Sequence, residues 1–269
     1  MPIDPRRYAL LGGMAAAASI AEFKTYLVDF AGIEFNPQSV VVLLFRKGVV
    51  PALLLSWIPD KVLRQTFDTE YFKFGHLLDP FAQAAARERS SSAYRVSEIA
   101  PDRFEASEYY ATYYRKTAMV DEIGALRRLD DRSIVHLSLG RNRGYRKFSP
   151  SEIRKFKAMY TAIMPKLGQL AMEESIQKNA APPAGDLIEI LTSLNTRDEP
   201  PISRREAQIA ALIIQGHSSR SIALHLRLSV HTVKVHRRNI YRKLTISAQN
   251  ELFGLVMRHG MAVEANVGS

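Results

Sequence analysis

Between Ile202 and Met261 apolar residues recur at helical spacing in four short runs broken by turn signals. In the first, Ile209, Leu212 and Ile213 share a face, Ser203 and Glu206 form a capping box, and Gly216 stands where a helix should end. Ser218 opens a second run with Ile222, Ala223 and Leu226 on one side. Ser229 caps the third, Ser229 to Leu244, where Val233, Ile240 and Leu244 make an apolar stripe. Lys234, Arg238 and Arg242, each four apart, make a second, basic stripe with Val235 beside it. A fourth run lies around Leu252 to His259.

Ahead of this helical module the pattern changes. Ser19 to Phe30 reads as an amphipathic helix with Ile20, Phe23, Leu27 and Phe30 on one face. Ser39 to Phe45 and Ala52 to Ile58 read as strands, with Lys47-Gly48 predicting a hairpin between them. Lys61 to Leu78 has the spacing of one helix, and Glu108 to Thr117 that of a Tyr-rich helix. Ile134 to Leu139 predicts a strand, followed by a basic loop from Gly140 to Tyr145. Ser149 caps a long helix with Pro150 at its first position. Residues 179–201 contain two Pro-rich stretches flanking a short apolar pattern, Leu187, Ile190, Leu191 and Leu194. The expected class is α+β: an α/β sandwich over 1–178, a linker with a short helix over 179–201, and an all-α module over 202–262.

Charge sharpens the picture. The chain carries a formal net charge of +10, and from Arg197 to Glu264 there are 11 basic residues against 5 acidic. From Arg220 to Lys243 there are seven Lys or Arg and no Asp or Glu, whereas a merely solvated face mixes signs. Concentrated positive charge on a helix of this kind points to phosphates, and the major groove of duplex DNA admits one such helix. The absence of Cys excludes disulfides, iron–sulfur clusters and thiol sensing. His231 and His236 have no metal-ligand spacing around them, so no metal is expected. The apolar stretches Val40 to Phe45 and Val49 to Ile58 are too short to cross a bilayer, which takes about 20 residues. Two Arg before the Ala-rich run Met14 to Ala18 mimic a secretion signal, but Glu22, Lys24 and Asp29 follow directly, and a cytoplasmic protein is expected.

The helical module resembles the LuxR-type helix-turn-helix domain. The resemblance rests on Thr232-Val233-Lys234-Val235-His236, Asn239-Ile240 and Arg242-Lys243-Leu244, preceded by Arg205-Glu206 and Gly216. It implies a DNA-binding transcriptional regulator in which Lys234, Val235 and Arg238 meet bases and Ser218, Ser219, Arg220, Thr232 and Arg242 hold phosphates. It also implies a homodimer joined through the fourth helix at Leu252, Leu255, Val256 and His259. Ala210, Ser221 and Arg227 stand where the family more often has Leu, an acid and Gly.

The front domain is similar to the GAF-like (GAF/PAS-type) input domains found ahead of such modules. The resembling residues are Phe23, Tyr71, Asp79-Pro80-Phe81, Tyr109-Tyr110, Asp121 to Gly124, Leu137 to Arg141 and Phe148 to Glu152. A sandwich of this kind encloses a pocket for a small-molecule effector, with Trp57, Tyr71, Asp79 and the Tyr109 to Tyr114 cluster as candidate lining residues. Each has a plainer role open to it, as core or as a turn. The acyl-homoserine-lactone receptors share this architecture, and Asp79-Pro80 fits their pattern. Trp57, 22 residues before Asp79, lies farther off than their usual spacing. No receiver pattern and no GxxxxGK[ST] loop is present, and neither His76 with Asp79 nor His136 with Ser138 has a third orienting group. An enzyme and a cofactor are therefore not expected. The alternative from another class is a protein–protein adaptor that keeps the helix-turn-helix fold.

Overall fold

The structure, a computed structural model, describes residues 4–87, 91–107, 110–177, 187–194 and 200–267. The chain divides into two compact units. The first comprises residues 1–68, 80–99 and 117–183; the second comprises 69–79, 100–116 and 184–269.

In the first unit five antiparallel strands, β1 (Ser39–Arg46), β2 (Val49–Trp57), β3 (Ser92–Arg95), β4 (Met119–Arg128) and β5 (Ser133–Asn142), form one sheet in the order β2-β1-β5-β4-β3. The hairpin read from Lys47-Gly48 is present, with Arg46 opposite Val49 and Gly48 at φ 78, where a side chain would be strained. Helices α1 (Pro5–Ala16), α2 (Ile20–Phe35) and α7 (Pro150–Gln177) share a core with one face of this sheet. Phe23, Leu27 and Phe30 of α2 and Met164 and Leu167 of α7 meet Val40, Val42, Ile123, Val135 and Leu137 there. Short helices α3 (Lys61–Thr66), α5 (Pro80–Arg87) and α6 (Val96–Ile99) complete the unit. It is an α/β sandwich, as expected from the sequence.

Several local readings change. The helix expected over Lys61 to Leu78 is broken: α3 ends at Thr66, residues Phe67–Gly75 are π-helical, and α4 is His76–Leu78. The Tyr-rich helix is a short π-helical turn, Tyr110–Tyr114, with residues 108 and 109 outside the described residues. The basic loop from Gly140 does not begin there, because β5 continues to Asn142 and Arg141 is a buried strand residue. Its guanidinium donates to Phe35 O, to Arg146 O at 3.2 Å, to Lys147 O at 3.3 Å and to Glu152 Oε1 at 2.7 Å, and lies 4.1 Å from the Phe148 ring centroid. The structure adds α1, β3 and β4, which the apolar pattern does not announce. β4 carries Asp121 and Glu122 inward, Asp121 paired with Arg95 at 2.9 Å and Glu122 accepting from Ser138 Oγ at 2.5 Å.

On the sheet face opposite the α2–α7 core, His136 of β5 is 1% exposed between the rings of Phe45 and Phe81, with centroids at 5.5 and 4.5 Å. Among the described residues neither ring nitrogen has a hydrogen-bond partner, and burial pushes the imidazole down to about 3. A histidine whose folded value lies below its unfolded one favours the folded state only while neutral, so stability falls as pH drops from about 6.5 toward 3. Between pH 7 and pH 5 the loss is about 2 kcal/mol. Denaturant unfolding of wild type and His136→Leu at both pH values should show that extra slope in wild type alone; equal slopes would remove the assignment.

In the second unit α8 (Leu187–Ser193) packs on α9 (Arg204–Gln215), so the short pattern in the linker is a helix docked on the module that follows. Then come α10 (Ser219–Leu226), α11 (Val230–Lys243) and α12 (Gln249–Val267). The Pro-rich stretches that flank α8 fall largely on 178–186 and 195–199, outside the described residues. Among the described residues no helix is long and apolar enough to cross a membrane, and no group of three His, Asp or Glu could hold a metal ion.

Candidate nucleic-acid interface

The caps that the sequence predicts set the three central helices. Ser203 Oγ accepts from the Glu206 N–H at 3.2 Å while Glu206 Oε2 accepts from the Ser203 N–H at 2.9 Å, and Gly216 ends α9 at φ 96. Ser218 Oγ accepts from Ser221 N–H at 3.1 Å to start α10, and Ser229 Oγ from Thr232 N–H at 2.9 Å to start α11. Arg227 ends α10 in the left-handed region, φ 54, a conformation that favours glycine. Arg205 reaches from α9 to Leu226 O at 2.8 Å and closes the end of α10.

With both ends fixed, α11 turns its two stripes apart. Val233 and Ile240 are fully buried and Leu244 nearly so. Lys234, Val235 and Arg238 are exposed on the other side, together with Arg242. Val235 is 36% exposed, an unusual state for a valine on a well-packed helix and one that suits contact with a thymine methyl group. Among the expected phosphate contacts, Arg220 is exposed, and Ser218, Ser219 and Thr232 are half-buried. Ser218, Ser219 and Arg220 lie together at the start of α10, and Thr232 in the first turn of α11.

Two basic residues of the charge run have other roles. Lys243 Nζ turns inward to Glu206 Oε2 at 2.8 Å and to Pro201 O at 3.3 Å. Burial pushes the Glu206 carboxyl up, but Lys243 and the Ser203 hydrogen bonds outweigh it and hold the group below the ordinary carboxylate value. Arg237 lies over the Tyr241 ring, 5.1 Å from its centroid. Helical spacing alone puts both on or beside the basic face; only the positions of Glu206 and Tyr241 reveal their roles.

Of the fourth-helix residues expected at a dimer joint, Leu252 and Val256 are fully buried inside their own unit. Leu255 is half-buried and lines a shallow depression with Leu244, Ile246, Asn250, Gly254 and Arg258. His259 Nε2 pairs with Ser193 Oγ at 2.8 Å. Of the expected effector contacts, Tyr71 donates to Asp79 Oδ2 at 2.5 Å within the second unit. Trp57, at the end of β2 in the first unit, packs against the α2–α7 core.

Three comparisons bear on this arrangement. Residues 200–256 match the GerE family model, bacterial regulatory proteins of the luxR family. A protein of Aeromonas salmonicida described as an HTH-type transcriptional regulator in the exeN 3′ region is 26% identical over 185 residues, 67% of this chain and 94% of that one. The response regulator GacA of Pseudomonas aeruginosa is 43% identical over 65 residues, 24% of this chain and 30% of its own length. Among solved structures, the VqsR LBD domain of Pseudomonas aeruginosa aligns with a TM-score of 0.51 at 24% identity, over 61% of this chain and 96% of that one, a likeness of fold. The capped helices, the divided stripes of α11 and the family match agree: the C-terminal module is a luxR-family regulatory domain, and the chain that carries it is a DNA-binding transcriptional regulator.

Proposed function

We propose that the chain binds operator DNA as a homodimer, with α11 in the major groove. Lys234, Val235 and Arg238 read base edges, while Ser218, Ser219, Arg220, Thr232 and Arg242 hold phosphates and set the register. The observation that carries this reading is the split of α11, with Val233 and Ile240 fully buried and Lys234, Val235 and Arg238 all exposed. Dimerisation uses the outer side of α12 around Leu255 rather than the buried Leu252 and Val256. The front domain modulates DNA binding when a small molecule is held there. The protein acts in the cytoplasm through binding, not catalysis.

Fluorescence anisotropy against salt tests the DNA reading. A protomer whose Arg220 and Arg242 each neutralise a phosphate should show log Kd rising with log salt at a slope of roughly 2, doubled for a dimer. Sedimentation of the complex should give two chains per duplex. A salt-independent affinity would favour the adaptor alternative.

A further inference from the structure

The turn between α9 and α10 is gripped by a stretch of chain from much earlier in the sequence. Residues 100–107 belong to the same compact unit as the helix-turn-helix module. The Arg103 N–H donates to Gly216 O at 2.9 Å, and Asp102 Oδ1 accepts from the Ser218 N–H at 2.9 Å across 116 positions of sequence. The fit at Gly216 is close. A Cβ there would sit 3.0 Å from Ser107 Cβ, 3.1 Å from Arg103 O and 3.3 Å from Phe104 Cα, so φ 96 and the close approach both ask for glycine. Phe104 is buried and packs edge-on against Tyr110 and Tyr114, which holds the stretch in its bend.

The group this bend delivers is a carboxylate. Asp102 meets the N-cap residue of an eight-residue helix, where free amides and the positive end of the dipole favour an anion. Burial pushes its carboxyl up, but the bonds from Ser218 and the nearby His217 outweigh this and keep it below the usual carboxylate value, so it is charged at neutral pH. Ser218, Ser219 and Arg220 are the residues placed above on DNA phosphates. One N–H cannot serve two anions, and a second anion beside the first is repelled.

We infer that residues 100–107 form an intramolecular clamp in which Asp102 stands in for a DNA phosphate at the start of α10 and holds DNA affinity down. The inference rests on the proposed phosphate role of Ser218 to Arg220. Any event that draws Asp102 away from Ser218 raises affinity for all sequences, because a phosphate site carries no base preference.

The test uses the full chain and a random-sequence duplex at low salt. Asp102→Ala should bind about 5- to 10-fold tighter than wild type, with Asp102→Asn in between, while Arg220→Ala should bind more weakly. If Arg220→Ala weakens binding and Asp102→Ala does not strengthen it, the clamp is wrong and the phosphate reading stands. If Arg220→Ala binds like wild type, the phosphate reading falls and takes the clamp with it. Asp102→Glu, which keeps the charge, guards against a variant that merely loosens the turn: it should bind within about 2-fold of wild type, and tightening equal to that of Asp102→Ala overturns the inference.

Discussion

Replacing Lys234 and Arg238 together by alanine should lower affinity for the operator by about 2–6 kcal/mol per protomer, since each good base contact discriminates by about 1–3 kcal/mol. Both side chains are exposed on α11, and the helix is held by Val233, Ile240 and the Ser229 cap, none of which the double variant touches. The melting temperature should therefore stay within a few degrees of wild type. The contrast with Arg242→Ala decides the roles. Without the Arg242 guanidinium on its phosphate, operator and random duplex should bind more weakly by the same factor, and the salt slope should fall by about 1 per protomer. The double variant should lose most on an operator selected from a random pool and much less on unselected DNA. Equal losses on the two would remove the base-reading assignment.

Arg141→Met should cost the first unit about 3–5 kcal/mol of stability, the usual penalty when one partner of a buried ion pair is taken away. Arg141 ties three parts of the chain together: the end of α2 through Phe35 O, the 146–148 segment through two carbonyls, and the start of α7 through Glu152. Burial raises the Glu152 carboxyl, but Arg146, Ser149 and Arg141 together hold it far below the ordinary range. Such a depressed acid stabilises the fold at neutral pH and gives that up as pH falls. Without Arg141 the carboxylate keeps Arg146, which is mostly in water and is a poor replacement. The Phe35 and Arg146 carbonyls also lose the Arg141 donor, while Lys147 O keeps Arg146 Nη1 at 3.4 Å. Arg141→Lys should recover little, since one ammonium cannot reproduce the planar fork. Urea unfolding of the three proteins measures the effect; a loss below about 1 kcal/mol for Arg141→Met would show that Glu152 and the two carbonyls find other partners.

The features most legible from sequence are those whose physics is local. Ser203, Gly216, Ser218 and Ser229 end or begin helices through bonds three to five residues long, and each stands where the pattern puts it. The hairpin at Lys47-Gly48 and the Ser149-Pro150 start of α7 belong to the same group. What the pattern hides depends on distant partners. Near its start β4 carries two acids that break its apolar pattern; in the fold Asp121 is paired with Arg95 and Glu122 is bonded by Ser138, 26 and 16 residues away. Arg141 reads as a loop cation because Glu152 and the Phe35 carbonyl come together only in the folded chain. The π-helical stretch Phe67–Gly75 differs from an α-helix by under one residue per turn, too little to show in nine positions. α1 does carry a signal, Asp4 before Pro5, but the Arg-Arg pair and the Ala run beside it mimic a secretion signal and mask it.

At Arg227 two demands meet in one residue. A bulky side chain held at φ 54 costs about 1 kcal/mol that glycine would not. The same residue sets an exposed cation at the corner between α10 and α11, beside the edge where duplex DNA is proposed to pass. Arg227→Gly would thus relieve the backbone there and remove that charge in one change.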